Sequence, residues 1–332
     1  MKNTTLKTLL IEYDKKRREA ENIADFEKEK IYSEYPILSE IDKKISALAL
    51  ASMRRMLNNN DEKTIKKLNS DINKLKKEKE TILNNIGPRA SKLKPNYECK
   101  KCNDTGYITI NNTTQMCNCL KQKIYDLEYN KTNMSTLNKE NFDKFNLNLY
   151  STEVSTEKYQ SDISPRENMK LIKEICINFI ENFDDIEEKN LLFTGKTGLG
   201  KTFLSSCIAN EVLKKGKTVL YHTASVMLDT IINYRFGKSN VSKEIYDYLL
   251  DVDLLIIDDL GTEGVNNLKL VELFNIINGR LLNSSKPTKT IISSNLSLQN
   301  IFDTYDERIV SRIVGNYNIC YFFGEDIRFK NK

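Results

Sequence analysis

Apolar positions along the chain change their period part-way, and the change divides it. From residue 4 to residue 94 they recur every three or four residues: Leu6, Leu9, Leu10 and Tyr13, then Ile23, Phe26 and Ile31. That spacing stacks side chains on one face of a helix. Tyr35-Pro36 interrupts the first helix, because a residue preceding proline disfavours the α region. A second helix resumes near Leu38 and runs through Ile41, Ile45, Leu48, Leu50 and Met53 toward Met56. Asn58-Asn59-Asn60-Asp61 reads as a turn or cap. A third helix, Glu62 to Ile86, carries Ile65, Leu68, Ile72, Leu75, Ile82 and Ile86 among many Lys and Glu, and Gly87-Pro88 ends it. The pattern predicts an antiparallel helical hairpin or short coiled coil. It serves either as an arm on a partner or as a cap on its own neighbours.

From residue 164 the pattern differs. Ser164-Pro165-Arg166-Glu167 has the signature of a helix start, with Ser164 as N-cap, Pro165 in the first turn and Glu167 reaching back. Met169, Ile172, Ile175, Cys176, Phe179 and Ile180 follow at helical spacing. Then come short apolar runs at 190–193, 218–221, 254–257 and 290–292, separated by helical segments. Strands alternating with helices of ten to fifteen residues predict an α/β domain, with a parallel sheet and helices on both faces. The expected organisation is a helical arm (1–94), a cysteine module (95–133), a polar linker (134–163) and the α/β domain (164–332).

The loop after the first of those strands carries the clearest chemistry. Gly195-Lys196-Thr197-Gly198-Leu199-Gly200-Lys201-Thr202 fits G-x-x-x-x-G-K-[ST] at every fixed position, between a strand and a helix. Its glycines let successive backbone N–H groups curl around a phosphate chain, and the helix N-terminus adds unpaired donors. Lys201 can reach the β- and γ-phosphates of ATP, and Thr202 can place its hydroxyl on Mg²⁺. The run at 254–257 ends in Asp258-Asp259, at the sheet edge where α/β ligands sit. Asp258 can hold the Mg²⁺ shell and Asp259 can polarise a water. Asn295 ends another apolar strand and can meet the γ-phosphate or that water.

Cys99, Cys102, Cys117 and Cys119 make C-x2-C and C-x-C pairs that flank a short hairpin. Four thiolates on two loops can close a tetrahedral, structural Zn²⁺ site, the alternative being free or redox-active thiols. Only one histidine exists in the chain, so no histidine contributes locally. Cys176, Cys207 and Cys320 sit singly in apolar segments and read as buried and inert.

Composition adds little beyond class. The chain has 332 residues, 39% of them hydrophobic and 29% charged, which fits a globular protein with two domains. No apolar run approaches the ~20 residues of a membrane span, and the start lacks a signal-peptide core, so a cytoplasmic location is expected. The net charge of +5 is uneven. Residues 1–94 carry about +7, which suits an acidic partner or simply a solvated helix face.

Taken together, GKTGLGKT, LLIIDDLG (254–261), IISSNLS (291–297) and ERIVSRIVGN (307–316) resemble the AAA+ superfamily. They look most like the bacterial replicative helicase loaders of the DnaC and DnaI type and their IstB-like relatives. The resemblance covers about residues 160–328, and the cysteine module is similar to that of DnaI-like loaders. It implies that Thr202 and Asp258 hold Mg²⁺, that Asp259 stands for the catalytic acid and that Asn295 matches sensor 1. Arg312 matches the arginine finger that acts on a neighbouring subunit's nucleotide. Arg308 is a second candidate, and Arg328 falls near sensor 2. For each arginine the bland alternative is a surface or helix-capping charge. The family places a hexameric DNA helicase on single-stranded DNA, its amino-terminal part gripping the helicase. The implied function is therefore a weakly hydrolysing, self-associating ATPase that loads the helicase. Arg235, Phe236 and Lys238 are candidate single-strand contacts or a solvated turn. The alternatives are a transposition helper ATPase of the IstB kind, which binds duplex DNA and a transposase, and an adaptor whose nucleotide is never turned over.

Overall fold

The helical periodicity of the first part becomes three helices: α1 (Lys2–Glu34), α2 (Pro36–Leu57) and α3 (Glu62–Ile86). The computed structural model describes residues 2–57, 62–128, 140–236, 244–264, 266–283 and 286–329. The turn cluster expected at 58–61 and Lys238 lie outside those residues. Packing separates the chain into two compact units, Met1–Cys117 and Asn118–Lys332.

In the first unit the buried stripe is narrower than the apolar pattern suggests. Leu9, Tyr13, Ala24 and Ile31 of α1 pack inward with Leu38 and Ile41 of α2. Ile23 and Phe26 do not. They fall off the stripe marked by Ala24 and Ile31 and are 64% and 57% exposed. Leu50 and Met53 of α2 also face out, while Ser52 is buried. The α2–α3 pair is tied by Lys79, which donates to Asp42 and, at 3.1 Å, to the Tyr32 hydroxyl. Arg89 grips Glu34 of α1 with two parallel bonds of 3.0 and 3.1 Å. A hairpin, β1 (Tyr107–Ile110) and β2 (Thr113–Met116), completes this unit in antiparallel register.

The second unit is built on five parallel strands. They are β3 (Asn190–Gly195), β4 (Val219–Thr223), β5 (Leu254–Leu260), β6 (Lys289–Ser294) and β7 (Tyr317–Phe322), in the order β4-β5-β6-β3-β7. Both faces are covered, so β3, β5 and β6 are buried almost throughout, with unbroken apolar stretches at Leu191–Phe193, Leu254–Ile257 and Ile291-Ile292 rather than alternation. The chain ahead of this sheet supplies α4 (Asn118–Glu128), α5 (Thr156–Tyr159) and α6 (Pro165–Glu181). The connections add α7 (Lys201–Lys214), α8 (Ala224–Arg235), α9 (Glu244–Asp251), α10 (Asn267–Leu281), α11 (Leu298–Thr304) and α12 (Glu307–Asn316). The capping box expected at Ser164 and Glu167 is formed.

Three features go beyond the sequence reading. Strand β7 was not expected; from Ile319 to Phe322 exposed Ile319 and Tyr321 alternate with buried Cys320 and Phe322, and the apolar run Ile319–Phe323 is the signal it left in the sequence. Helix α4 caps the start of the outer edge of β4 at Val219. The Gln122 amide accepts from Val219 N–H at 2.7 Å and donates to its carbonyl at 3.0 Å, satisfying an edge that would otherwise be open. Part of the stretch read as a linker packs on the sheet unit, with Phe142, Phe145, Leu147, Leu149 and Tyr150 against the cluster around Leu191 and Phe193.

Arg280 of α10 pins the far end of the sheet. It is 3% exposed, and its bonding partners are oxygens of neutral groups. These are the Thr290 hydroxyl at 2.9 Å and the carbonyls of Leu249, Val252 and Lys289 at 2.7, 2.9 and 2.7 Å. Burial lowers its pKa to about 10, so it stays charged at neutral pH. Arg280→Met strands those acceptors and is expected to remove about 3 kcal/mol or more from the urea unfolding free energy. Arg280→Lys should recover only part, since three donors on one atom cannot reproduce a planar fork.

His222 of β4 sets an acid limit. It is buried, its Nε2 has no partner among the described residues, and burial lowers its pKa to about 4. The unfolded chain takes up that proton near 6.5. Stability from this site is full above that value and falls as pH drops toward 4, by about 2 kcal/mol at pH 5. Urea unfolding across pH 4–7 should show this slope in the native chain and a shallower one in His222→Gln.

Candidate functional site

The phosphate loop sits where β3, a central strand, gives way to α7. Gly195 has φ 137°, and a Cβ there would overlap the Phe322 carbonyl of β7, so only glycine lets the two strand ends lie this close. Gly200, at φ 95°, is the N-cap of α7, and a Cβ there would come within 2.7 Å of the Tyr150 hydroxyl. That hydroxyl donates to the Leu199 carbonyl at 3.1 Å. From the other side Ile327 N–H donates to the Gly198 carbonyl at 2.9 Å. The loop is thus bracketed by a segment well before it and by the end of the chain.

Lys201 is 5% exposed, and its ammonium donates to the Gly195 and Lys196 carbonyls at 2.6 and 2.7 Å. Burial lowers its pKa to about 8, against the pull of Asp259 and Asp258. Thr202 donates its hydroxyl proton to Asp258 Oδ2 at 3.2 Å, which leaves the Thr202 lone pairs to face a cation. Asp258 is buried at the end of β5. There the β5–β6 register shifts between Ile257 and Leu260, and Asp259 takes a positive φ of 53°. Such a bulge re-aims side chains, and strain of this kind clusters at functional sites. Asp259 accepts from Asn295 Nδ2 at 3.3 Å. Burial, then the charge of Asp258, raises the Asp259 pKa and makes it a better proton acceptor.

Lys201, Thr202, Asp259, Asn295 and Arg328 line one cavity of about 390 Å³, together with Thr197, Gly198, Leu199 and Gly200. Arg328 pairs with Asp326 at its rim. Arg308 and Arg312 are not among the residues that line it. Arg312 is exposed on α12 and donates to Asn278 at 2.8 Å, while Arg308 pairs with Asp306 over the Phe274 ring. Of the candidate single-strand contacts, Arg235 bonds Glu272 and Phe236 is 59% exposed.

Residues absent from the sequence reading also shape the site. Glu140 lines the cavity, and burial raises its pKa. Tyr150, Tyr221 and Ser293 touch the loop or its acids. The apolar positions of NFDKFNLNLY could have flagged Tyr150. Nothing in the sequence marks Glu140.

The Sγ atoms of Cys99, Cys102, Cys117 and Cys119 all lie within 4.8 Å of one another, and Cys99 and Cys117 are 3.9 Å apart. A tetrahedron with Zn–S arms of about 2.3 Å has edges of about 3.8 Å, so the group fits Zn²⁺. The first knuckle is shaped by Asp104, which accepts from the Glu98 and Cys99 amides at 2.9 and 2.7 Å. Cys117 N–H closes on the Gly106 carbonyl at 2.8 Å.

A family model of IstB-like ATP-binding proteins matches residues 133–332, more than half of the chain. Curated relatives include the replicative helicase loader DnaC of Buchnera aphidicola subsp. Baizongia pistaciae, 32% identical over 146 residues. Those cover 43% of this chain and 56% of that protein. The replicative helicase loader DnaC of Escherichia coli K12 is 34% identical over 144 residues, 42% of this chain and 55% of that one. The chain thus spans about half the length of the curated relatives it matches. A crystal structure of the DnaC helicase loader aligns with a TM-score of 0.42 at 22% identity, over 54% of this chain and 96% of that one. No described helix is long and apolar enough to cross a membrane.

Proposed function

The chain belongs to the family of IstB-like ATP-binding proteins, and from that premise we propose that it is an ATP-driven loader of a replicative DNA helicase onto single-stranded DNA. The observation that carries this is the assembled cavity: Lys201, Thr202 and the Asp259–Asn295 pair line it at one end of an AAA+ sheet, and Asp258, buried and outside the lining, holds Thr202 from behind. The DnaC relatives supply the helicase side of the reading.

In this reading the loop amides and Lys201 hold the triphosphate. Thr202 and Asp258 hold Mg²⁺, which when bound neutralises charge on the phosphate oxygens. Asp259, steadied by Asn295, orients the attacking water and accepts its proton. Arg312 projects from α12 to complete a neighbouring subunit's site, so hydrolysis per chain rises with protein concentration. Arg328 exchanges Asp326 for phosphate. Residues 1–130, with Zn²⁺ on the four cysteines, take the helicase, and the α/β domain takes single-stranded DNA.

The test mixes the full chain with the replicative helicase of the same organism and single-stranded circles, with and without ATP and Mg²⁺. A stable helicase complex by size, and more helicase on the circles with ATP, are expected. No complex, together with duplex DNA binding that bends DNA and recruits a transposase, would establish the transposition-helper reading instead. Unimpaired loading by both Lys201→Ala and Asp259→Ala would establish the adaptor.

A further inference from the structure

Asp258 does not stand alone at the end of β5. We propose that Tyr221 and Ser293 are positioning residues for it, fixing the carboxylate in the orientation from which it serves a nucleotide-bound divalent cation. The inference rests on the reading of Thr202 and Asp258 as the metal pair and names what prepares that pair.

Tyr221 lies on β4, next to β5, and is 3% exposed. Its hydroxyl donates to Asp258 Oδ2 at 2.6 Å, the same oxygen that takes the Thr202 proton. Ser293 lies on β6, the other neighbour of β5, and is fully buried. Its hydroxyl donates to Asp258 Oδ1 and accepts from the Asp259 amide at 3.2 Å. The carboxylate is therefore gripped from both flanking strands and from α7. A carboxylate offers about four acceptor positions, and three hydroxyls leave room for one more donor or a cation. All three donors are neutral. A lysine or arginine in their place would repel the incoming cation, whereas hydroxyls orient the anion and leave its charge available. Ser293 does more than Tyr221, since the same oxygen holds the Asp259 amide in the bulge.

Partners that orient metal ligands typically change metal affinity 10–100-fold when removed. The test titrates Mg²⁺ against the full chain at a fixed concentration of a fluorescent ATP analogue, with thermal unfolding of each variant as a check. Tyr221→Phe is expected to raise the Mg²⁺ half-saturation about tenfold while binding in EDTA stays within about twofold. Ser293→Ala should raise it similarly and also slow turnover. A half-saturation within twofold of the native chain in both variants overturns the inference, even if their melting temperatures fall. Should Tyr221→Phe fail to fold, Ser293→Ala decides by the same threshold. A native chain that binds no nucleotide, or binds it indifferently to Mg²⁺, overturns the site reading itself. Normal native behaviour beside unshifted variants overturns only the present inference.

Discussion

Lys201→Ala is expected to weaken Mg–ATP binding by about a hundredfold or more, with little change in the melting temperature of the nucleotide-free chain. The ammonium belongs to a residue that lines the cavity, and it is held over the loop by two neutral carbonyls. Phosphate oxygens are far stronger acceptors. Truncating one partner of a buried charged contact costs about 2–5 kcal/mol, and about 2.7 kcal/mol already corresponds to a hundredfold. The apo chain loses less, because the same burial that lowers the lysine's pKa to about 8 means that part of its interaction with the carbonyls only offsets desolvation. Equilibrium binding of a fluorescent ATP analogue, with a melting curve for each protein, checks both halves.

Removal of metal from the cysteine module should have the largest structural effect. The stretch around β1 and β2 offers little apolar burial of its own beyond Cys102 and Cys117. Its strands are four residues each and largely exposed on both faces. A two-stranded hairpin of that size is at best marginal in water. A structural Zn²⁺ contributes about 10 kcal/mol or more in comparable small modules. The chain as purified should therefore hold one Zn²⁺, and a strong chelator should release it and abolish hydrogen-exchange protection across residues 99–117. Cys102→Ser should do the same. Metal-free chain with a protected hairpin would instead support free thiols.

The two predictions differ in how far the sequence alone supports them. The phosphate loop is legible because its chemistry is local: eight consecutive residues between a strand and a helix specify the backbone path. The strands were legible for a related reason. A parallel sheet covered on both faces demands unbroken apolar runs such as Leu254–Ile257, and such runs stand out among charged helices. Strand β7 left its own apolar run, Ile319 to Phe323, but it stands at the sheet edge beyond the motifs that mark the other strands. The stripe of α1 was over-read because apolar residues at Ile23 and Phe26 match helical spacing without matching the buried face.

The site's supports were illegible for a different reason. Tyr221 reaches Asp258 only because β4 lies beside β5, and Ser293 only because β6 lies on its other side. Tyr150 meets Leu199 across 49 residues of chain. These pairings come from strand order and from the return of the chain's end, neither of which leaves a periodic trace. Arg312 illustrates the converse. Its motif was visible, yet its own cavity does not include it, and a role in a neighbouring subunit needs a second chain.

The most direct measurement is where ATP sits. A crystal structure of the full chain with a non-hydrolysable ATP and Mg²⁺ should show the triphosphate wrapped by Gly195–Thr202, Lys201 turned onto it, and the cation between Thr202 and Asp258. Nucleotide bound elsewhere, or a loop that stays closed on its own lysine at saturating ATP, would contradict the account.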